Sequence, residues 1–159
     1  ELLQTFSPST VFTWARIFYA YGSGEPPEKL ISSLIRQASC GNPMEIKHPD
    51  NVVDYIHVND IASALATIME KSPGGTINVG TGQGILLRDL AKKISEQLDC
   101  PKVPQFPTTH EPQKPTSIVA DNSRLRSLVW EQKISLEIGI RELIRDIAKK
   151  SPAQKDPHS

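Results

Sequence analysis

Few side chains in this sequence have a type and spacing suited to chemistry. His48, His57 and His110 fall in separate segments with no Ser or Cys motif beside them, which argues against a histidine-driven hydrolase. Cys40 and Cys100 lie far apart, with no C-x-x-C spacing and no clustered histidine. A disulfide framework or a zinc site therefore has little support, and both read as reduced, mostly buried thiols. Two glycine groups invite comparison with a dinucleotide phosphate turn. Gly22-Ser23-Gly24 lacks a third glycine at the right place, and Gly80-Thr81-Gly82-Gln83-Gly84 follows a very short strand late in the chain, so both read as turns. The better candidate is WARIFYAYGSGEPPEKLISSLIR, residues 14–36. An apolar strand breaks there into a glycine- and proline-rich loop and re-forms as an amphipathic helix. Open α/β sheets bind ligands beyond the carboxyl ends of their strands. Glycines let the backbone approach a ligand, and a helix beginning near Glu28 would point free amides at a phosphate with Lys29 beside them.

The surrounding pattern supplies elements to hold such a junction. Residues 10–18 are rich in β-branched and aromatic types, as expected of a strand covered on both faces, and so of a parallel sheet with layers on each side. Leu30, Ile31, Leu34, Ile35 and Ala38 recur at helical spacing until Gly41-Asn42-Pro43 stops them. A short strand is expected at 44–46 and an extended segment at 52–58. Asn59 is the expected N-cap of a helix whose inner face is Ile61, Leu65, Ile68 and Met69. After the turn Ser72-Pro73-Gly74-Gly75, a strand at 76–79 leads to a helix marked by Leu86, Leu87, Leu90, Ile94 and Leu98. Residues 101–115 hold five prolines and read as a connecting loop. A last short strand is expected at 118–120, with Asp121 capping a brief helix. Ser135 caps a final helix carrying Leu136, Ile140, Leu143, Ile144 and Ile147. Residues 1–6 suit the tail end of a helix, and 151–159 read as a disordered polar tail.

Composition narrows the partners. A chain of 159 residues, 38% hydrophobic, has the length of one ordinary domain or of part of a larger one. Lys+Arg and Asp+Glu both number 18, so no net field favours nucleic acid or an anionic membrane, and small molecules or proteins are the expected partners. No apolar run reaches the length of a membrane span, and the first residues lack the form of a secretory signal, which gives a soluble, cytoplasmic reading.

The order of motifs goes further. RIFYAYGSGE, EKLISSLIRQASCGNPMEI, DYIHVNDIASAL, INVGTGQGILLRDLAKKI and IVADNSRLRSLVWEQKISLEIGIREL, in that order and spacing, resemble the C-terminal half of the extended short-chain dehydrogenases/reductases that act on nucleotide sugars, the NAD-dependent epimerase/dehydratase family. The resemblance runs from about residue 10 to about residue 147. It implies an α/β fold: the C-terminal part of a Rossmann-like doubly wound parallel sheet, plus a small, mostly helical substrate-binding subdomain, over residues 1–150. It implies NAD or NADP, bound mainly by an N-terminal half whose GxxGxxG turn and Tyr-x-x-x-Lys pair are not in this sequence. On this reading the chain is the substrate-binding half of an epimerase, dehydratase or reductase, is inactive alone and contains no catalytic residue, and the full-length enzyme is a homodimer.

Site residues follow from the same resemblance. Ile17 and Phe18 would pass the nicotinamide ring, against the plainer role of strand packing. Tyr19 stands where many members have an asparagine that bonds the substrate phosphate. Lys29 and Leu30 match the KL at the loop-to-helix junction, where the lysine faces a phosphate; the plain alternative is a solvated lysine. Met44 and Glu45 fall where a short strand lines the base. Asn78 matches the asparagine of the family's NIG, as a diphosphate contact or a tie for the turn. Val53 and Glu111 replace two expected arginines, leaving Lys114 as the nearest cation, while Asp54 and Asp60 read as structural anchors. These departures keep a rival in view: a non-catalytic nucleotide- or NAD(P)-binding regulatory protein on the same fold.

Overall fold

The computed structural model describes residues 10–98 and 114–150. The expectations for 1–9, 99–113 and 151–159, Cys100, His110 and Glu111 among them, lie outside these. The architecture is mixed α/β with strands paired mostly in parallel. β1 (Thr13–Ile17) pairs in parallel with β5 (Gly75–Val79), and β2 (Tyr19–Tyr21) in parallel with β4 (Tyr55–His57). β3 (Val52–Val53) lies between β6 (Ile85–Leu86), antiparallel, and β7 (Ser117–Ile118), parallel. The strand expected at 10–18 is present as β1, shortened to Thr13–Ile17, and a second strand, β2, follows it after one residue. Phe18 N–H donates to the Val79 carbonyl and Tyr19 N–H to that of Asp54, so the chain changes partners within one residue. Among the described residues nothing covers Trp14 and Arg16, which are exposed on one side of β1.

Two cores hold the strands. α2 (Val58–Lys71) lies on β1 and β4, where Ile56, Ala64, Ile68, Ile77, Val79, Leu125 and Trp130 are buried together; α4 (Ser123–Arg126) closes this layer. α1 (Leu30–Ser39), α3 (Leu87–Gln97) and α5 (Leu136–Lys150) form the second, around Leu34, Ile35, Leu90, Ile94, Ile140 and Leu143. Each such fully buried aliphatic side chain contributes about 1.5–3 kcal/mol. Three helices on one core and a helix on a parallel pair are the two parts of the expected layout.

Local chemistry sets the ends. α1 stops in a Schellman motif: Gly41, at φ 72°, donates to the Ala38 carbonyl, and Asn42 N–H donates to that of Gln37. Its C-cap, Cys40, is thereby left exposed rather than buried as the sequence suggested. α2 starts one residue before Asn59. His57 is its N-cap, accepting from Asn59 N–H through Nδ1, a role that propensity does not assign to histidine. Met69 is 79% exposed and so is not part of the inner face. The expected strand at 44–46 shrinks to a single bridge at Glu45, with Met44 and Ile46 buried to either side. Ser135 does cap α5, accepting from Ile138 N–H at 3.3 Å.

Candidate functional site

β2 and β4, paired in parallel, end on one side, and there the chain leaves Tyr21 into a glycine turn. Glu25 N–H donates to the Gly22 carbonyl at 3.2 Å. Gly22 has φ 141°, and a Cβ there would stand 2.7 Å from Val58 Cγ2, so the turn needs glycine for both conformation and space. Pro26 and Pro27 then carry the chain to Lys29, the N-cap of α1. The turn, the α1 start and the strand ends enclose a cavity of about 920 Å³, a size suited to a small-molecule ligand.

Five of the sequence-predicted residues meet on its lining: Ile17, Phe18, Tyr19, Lys29 and Leu30. Ile17 and Tyr19 remain 48% and 44% exposed, apolar surface facing open space at the strand ends. The other four are not among the lining residues. Met44 is buried in the helical core, and Glu45 N–H already donates to Gln37 Oε1 at 3.0 Å. Asn78 donates from Nδ2 to the Asp121 carbonyl at 3.0 Å, tying β5 to the loop before α4. Lys114 is exposed near the start of the second described stretch. Val53, where an arginine was expected, lines the cavity as a buried aliphatic.

Sequence reasoning missed three features. Glu25 is the first. Its Oε1 accepts from Ser32 N–H at 2.9 Å, so a carboxylate of the chain itself sits on the α1 N-terminus, where free amides had been expected to meet a phosphate. The second is an aromatic group on the cavity floor: Tyr55 meets Tyr19 edge-on at 5.9 Å between centroids and Tyr21 at 6.2 Å, and Tyr21 meets His57 at 5.3 Å. Burial first, then neighbouring carboxylates, pushes the Tyr21 hydroxyl well above its ordinary value; burial, then Tyr19 and Glu25, does the same for Tyr55. The third is how far Asp54 reaches. Fully buried, it accepts from Thr81 N–H and the Thr81 hydroxyl through Oδ1, and from Gly82 N–H and Ala120 N–H through Oδ2. It therefore fixes the loops after β5 and β7 against the strand residues that wall the cavity. Asp60 likewise accepts from Lys133 N–H and Ile134 N–H, anchoring the entry to α5 rather than the start of α2. Of these features only the anchoring role of the two aspartates had a signal in the sequence.

A second, more polar cavity of about 460 Å³ lies on the other side of Tyr55, lined by Thr81, Gln83, Lys93, Lys133 and Glu137 among others. Its charges are internally matched in part: a hydrogen bond from Lys93 holds the Glu137 carboxyl below the usual range.

A sequence model of the NAD dependent epimerase/dehydratase family matches residues 3–80. The trifunctional UDP-glucose 4,6-dehydratase/UDP-4-keto-6-deoxy-D-glucose 3,5-epimerase/UDP-4-keto-L-rhamnose-reductase of Arabidopsis thaliana is 30% identical over 127 residues, 77% of this chain and 19% of its own length. GDP-L-fucose synthase 1 of Arabidopsis thaliana is 29% identical over 90 residues, 56% of this chain and 28% of its own. Among solved structures, UDP-glucose 4-epimerase of Thermotoga maritima, determined with UDP-glucose, superposes with a TM-score of 0.79 at 25% identity, over 93% of this chain and 50% of that one. The chain thus spans 19% and 28% of these two curated relatives and half of the structural one.

Proposed function

The chain belongs to the NAD dependent epimerase/dehydratase family, and from that premise we propose that it is the substrate-binding part of an NAD(P)-dependent sugar-nucleotide epimerase, dehydratase or reductase. The observation that carries the reading is the cavity at the strand ends, on whose lining Ile17, Phe18, Tyr19, Lys29 and Leu30 come together. Residues 1–150 would be the C-terminal portion of the enzyme domain, with the cofactor turn and the Tyr-x-x-x-Lys pair on the rest of the protein and a homodimer as its assembly.

The bare apolar surface of Ile17, with Phe18 beside it, fits the flat face of a nicotinamide ring; when bound, that cofactor supplies reversible hydride transfer. Everything else here is positioning. Tyr19 offers a hydroxyl donor at the cavity mouth. Lys29 is the only cation on the lining among the described residues, and since Glu25 takes the Ser32 amide, Lys29 meets a substrate phosphate as a point charge on a flexible stem, without help from the helix end. Leu30 and Val53 close the apolar floor around the sugar or base and keep water from it. Lys114 would add charge from the adjoining segment; Met44, Glu45 and Asn78 would act through the backbone they hold. Val53 in place of an arginine supports a second reading, a nucleotide-binding regulatory protein on the same fold, which binds the same ligands without turning them over.

The test is titration calorimetry of the full protein with UDP-glucose, dTDP-glucose and GDP-mannose, repeated on Lys29→Ala, and followed by product analysis with NAD or NADP. Lys29→Ala is expected to weaken the preferred nucleotide sugar about tenfold, the loss of one charge-assisted phosphate contact, with folding unchanged because the side chain is exposed. Unchanged affinity removes the binding assignment. Binding without turnover selects the regulatory reading.

A further inference from the structure

The cavity's charges sit in an unusual balance. Among the described residues its lining carries one cation, Lys29, and one carboxylate, Glu25. A helix N-terminus attracts anions because its first amides lack intrahelical partners and the macrodipole adds partial positive charge. In α1 that attraction is already used: Glu25, reached across the Pro26-Pro27 step, places Oε1 2.9 Å from Ser32 N. The carboxylate is half-buried, held by the turn in which its own N–H donates to the Gly22 carbonyl, and its charge reaches the Tyr55 hydroxyl on the cavity floor. Ser23, Gly24 and Pro26, its neighbours on this wall, bring no compensating charge.

We infer that Glu25 is a specificity-determining residue of this cavity: its carboxylate occupies the anion seat on the α1 amides and keeps ligand phosphate off them, so that the phosphate meets Lys29 alone and the ligand presents hydroxyl or apolar groups to the turn at residues 22–25. The inference rests on the nucleotide-sugar reading of the same cavity and adds the orientation of the ligand within it. A diphosphate carries at least two negative charges, and a fixed carboxylate in a partly desolvated cavity repels them more strongly than it would in water. The same carboxylate is a good acceptor for a sugar or ribosyl hydroxyl, since only one of its oxygens is engaged by Ser32.

Glu25→Gln separates charge from architecture, because a glutamine carbonyl oxygen still accepts from Ser32 N–H. Uridine and UDP are titrated into the full protein and into this variant by calorimetry at two salt concentrations, with circular dichroism to verify folding. The expected result is that Glu25→Gln binds UDP about fivefold or more tightly than the parent at low salt, with uridine unchanged and the gain shrinking at high salt. Glu25→Ala, which loses the cap as well, is expected to shift the UDP-to-uridine ratio in the same direction. An unchanged ratio in Glu25→Gln, or a change seen in the alanine variant alone, overturns the inference and leaves the nucleotide-sugar reading standing. Where the parent prefers dTDP-glucose or GDP-mannose to UDP-glucose, the nucleoside and diphosphate of that base replace uridine and UDP, and failure of parent and variant alike to bind any of these nucleosides or nucleotides removes both.

Discussion

Asp54→Asn tests whether one buried carboxylate organises the walls of the cavity. Asp54 is fully buried and accepts from three backbone N–H groups, at 2.9 to 3.1 Å, and from the Thr81 hydroxyl. A carboxylate answers four donors because all of its lone pairs accept; an amide answers at most half of them. In its better orientation the asparagine side chain keeps its oxygen on Gly82 and Ala120 and turns its NH2 toward Thr81. The Thr81 hydroxyl can then accept, while Thr81 N–H faces a donor and is left without a partner. Losing charge assistance on two bonds and orphaning one buried donor costs about 2–4 kcal/mol, against a total stability of about 5–15 kcal/mol for a domain. With a urea slope of about 2 kcal/mol/M, the unfolding midpoint falls by about 1–2 M at unchanged slope. Asp54→Ala, which abandons every donor, should fall further. Urea unfolding followed by circular dichroism decides the matter: if the asparagine variant stays within about 0.5 kcal/mol of the parent, the loops at 81–82 and 120 do not depend on Asp54, and the account of how Val53 and Tyr55 are held is wrong.

Two further outcomes follow from Tyr21. A Cβ at Gly139 would run into Tyr21 Oη and lie 2.8 Å from its ring, in a core where neither can retreat, so Gly139→Ala should lower stability by about 2–3 kcal/mol by thermal or urea unfolding. Tyr21→Phe alone should be neutral or stabilising, because Oη is buried with no hydrogen-bond partner among the described residues, and it should partly rescue Gly139→Ala in a double-mutant cycle. Burial raises both the Tyr21 and the Tyr55 hydroxyl above the ordinary 10.0, so above that pH the unfolded chain releases these protons while the folded one keeps them. The folded state then binds more protons and stability falls as pH rises; the melting temperature should begin to drop near pH 10.0 and keep falling above it, and phenolate absorbance from these two tyrosines should appear only with unfolding.

What the sequence revealed and what it hid divide along one physical line: separation along the chain. The helices were legible because their signal is local and repeated. Leu34, Ile35, Leu90, Ile94, Ile140 and Leu143 are buried where a period of 3.6 places them, and Gly41 ends α1 by a backbone conformation that its residue type announces. The strands were less so. Nothing in the alternation of residues 10–21 says that Phe18 N–H bonds Val79 while Tyr19 N–H bonds Asp54, because a strand's partner is chosen by the fold and not by its own pattern. The cavity shows the same division. Ile17, Phe18, Tyr19, Lys29 and Leu30 lie within one continuous stretch, and a motif found them together. Glu25 lies in that stretch too, yet the sequence carries no sign that its carboxylate caps a helix beginning five residues later across two prolines, since capping rules concern residues adjacent to the first turn. A site read from a motif therefore inherits the motif's ligand, whereas the electrostatics that admit or refuse that ligand depend on where a single flexible carboxylate comes to rest. In this chain it rests on the helix amide that the motif would give to phosphate, so the ligand's orientation has to be argued from Glu25 and Lys29 together.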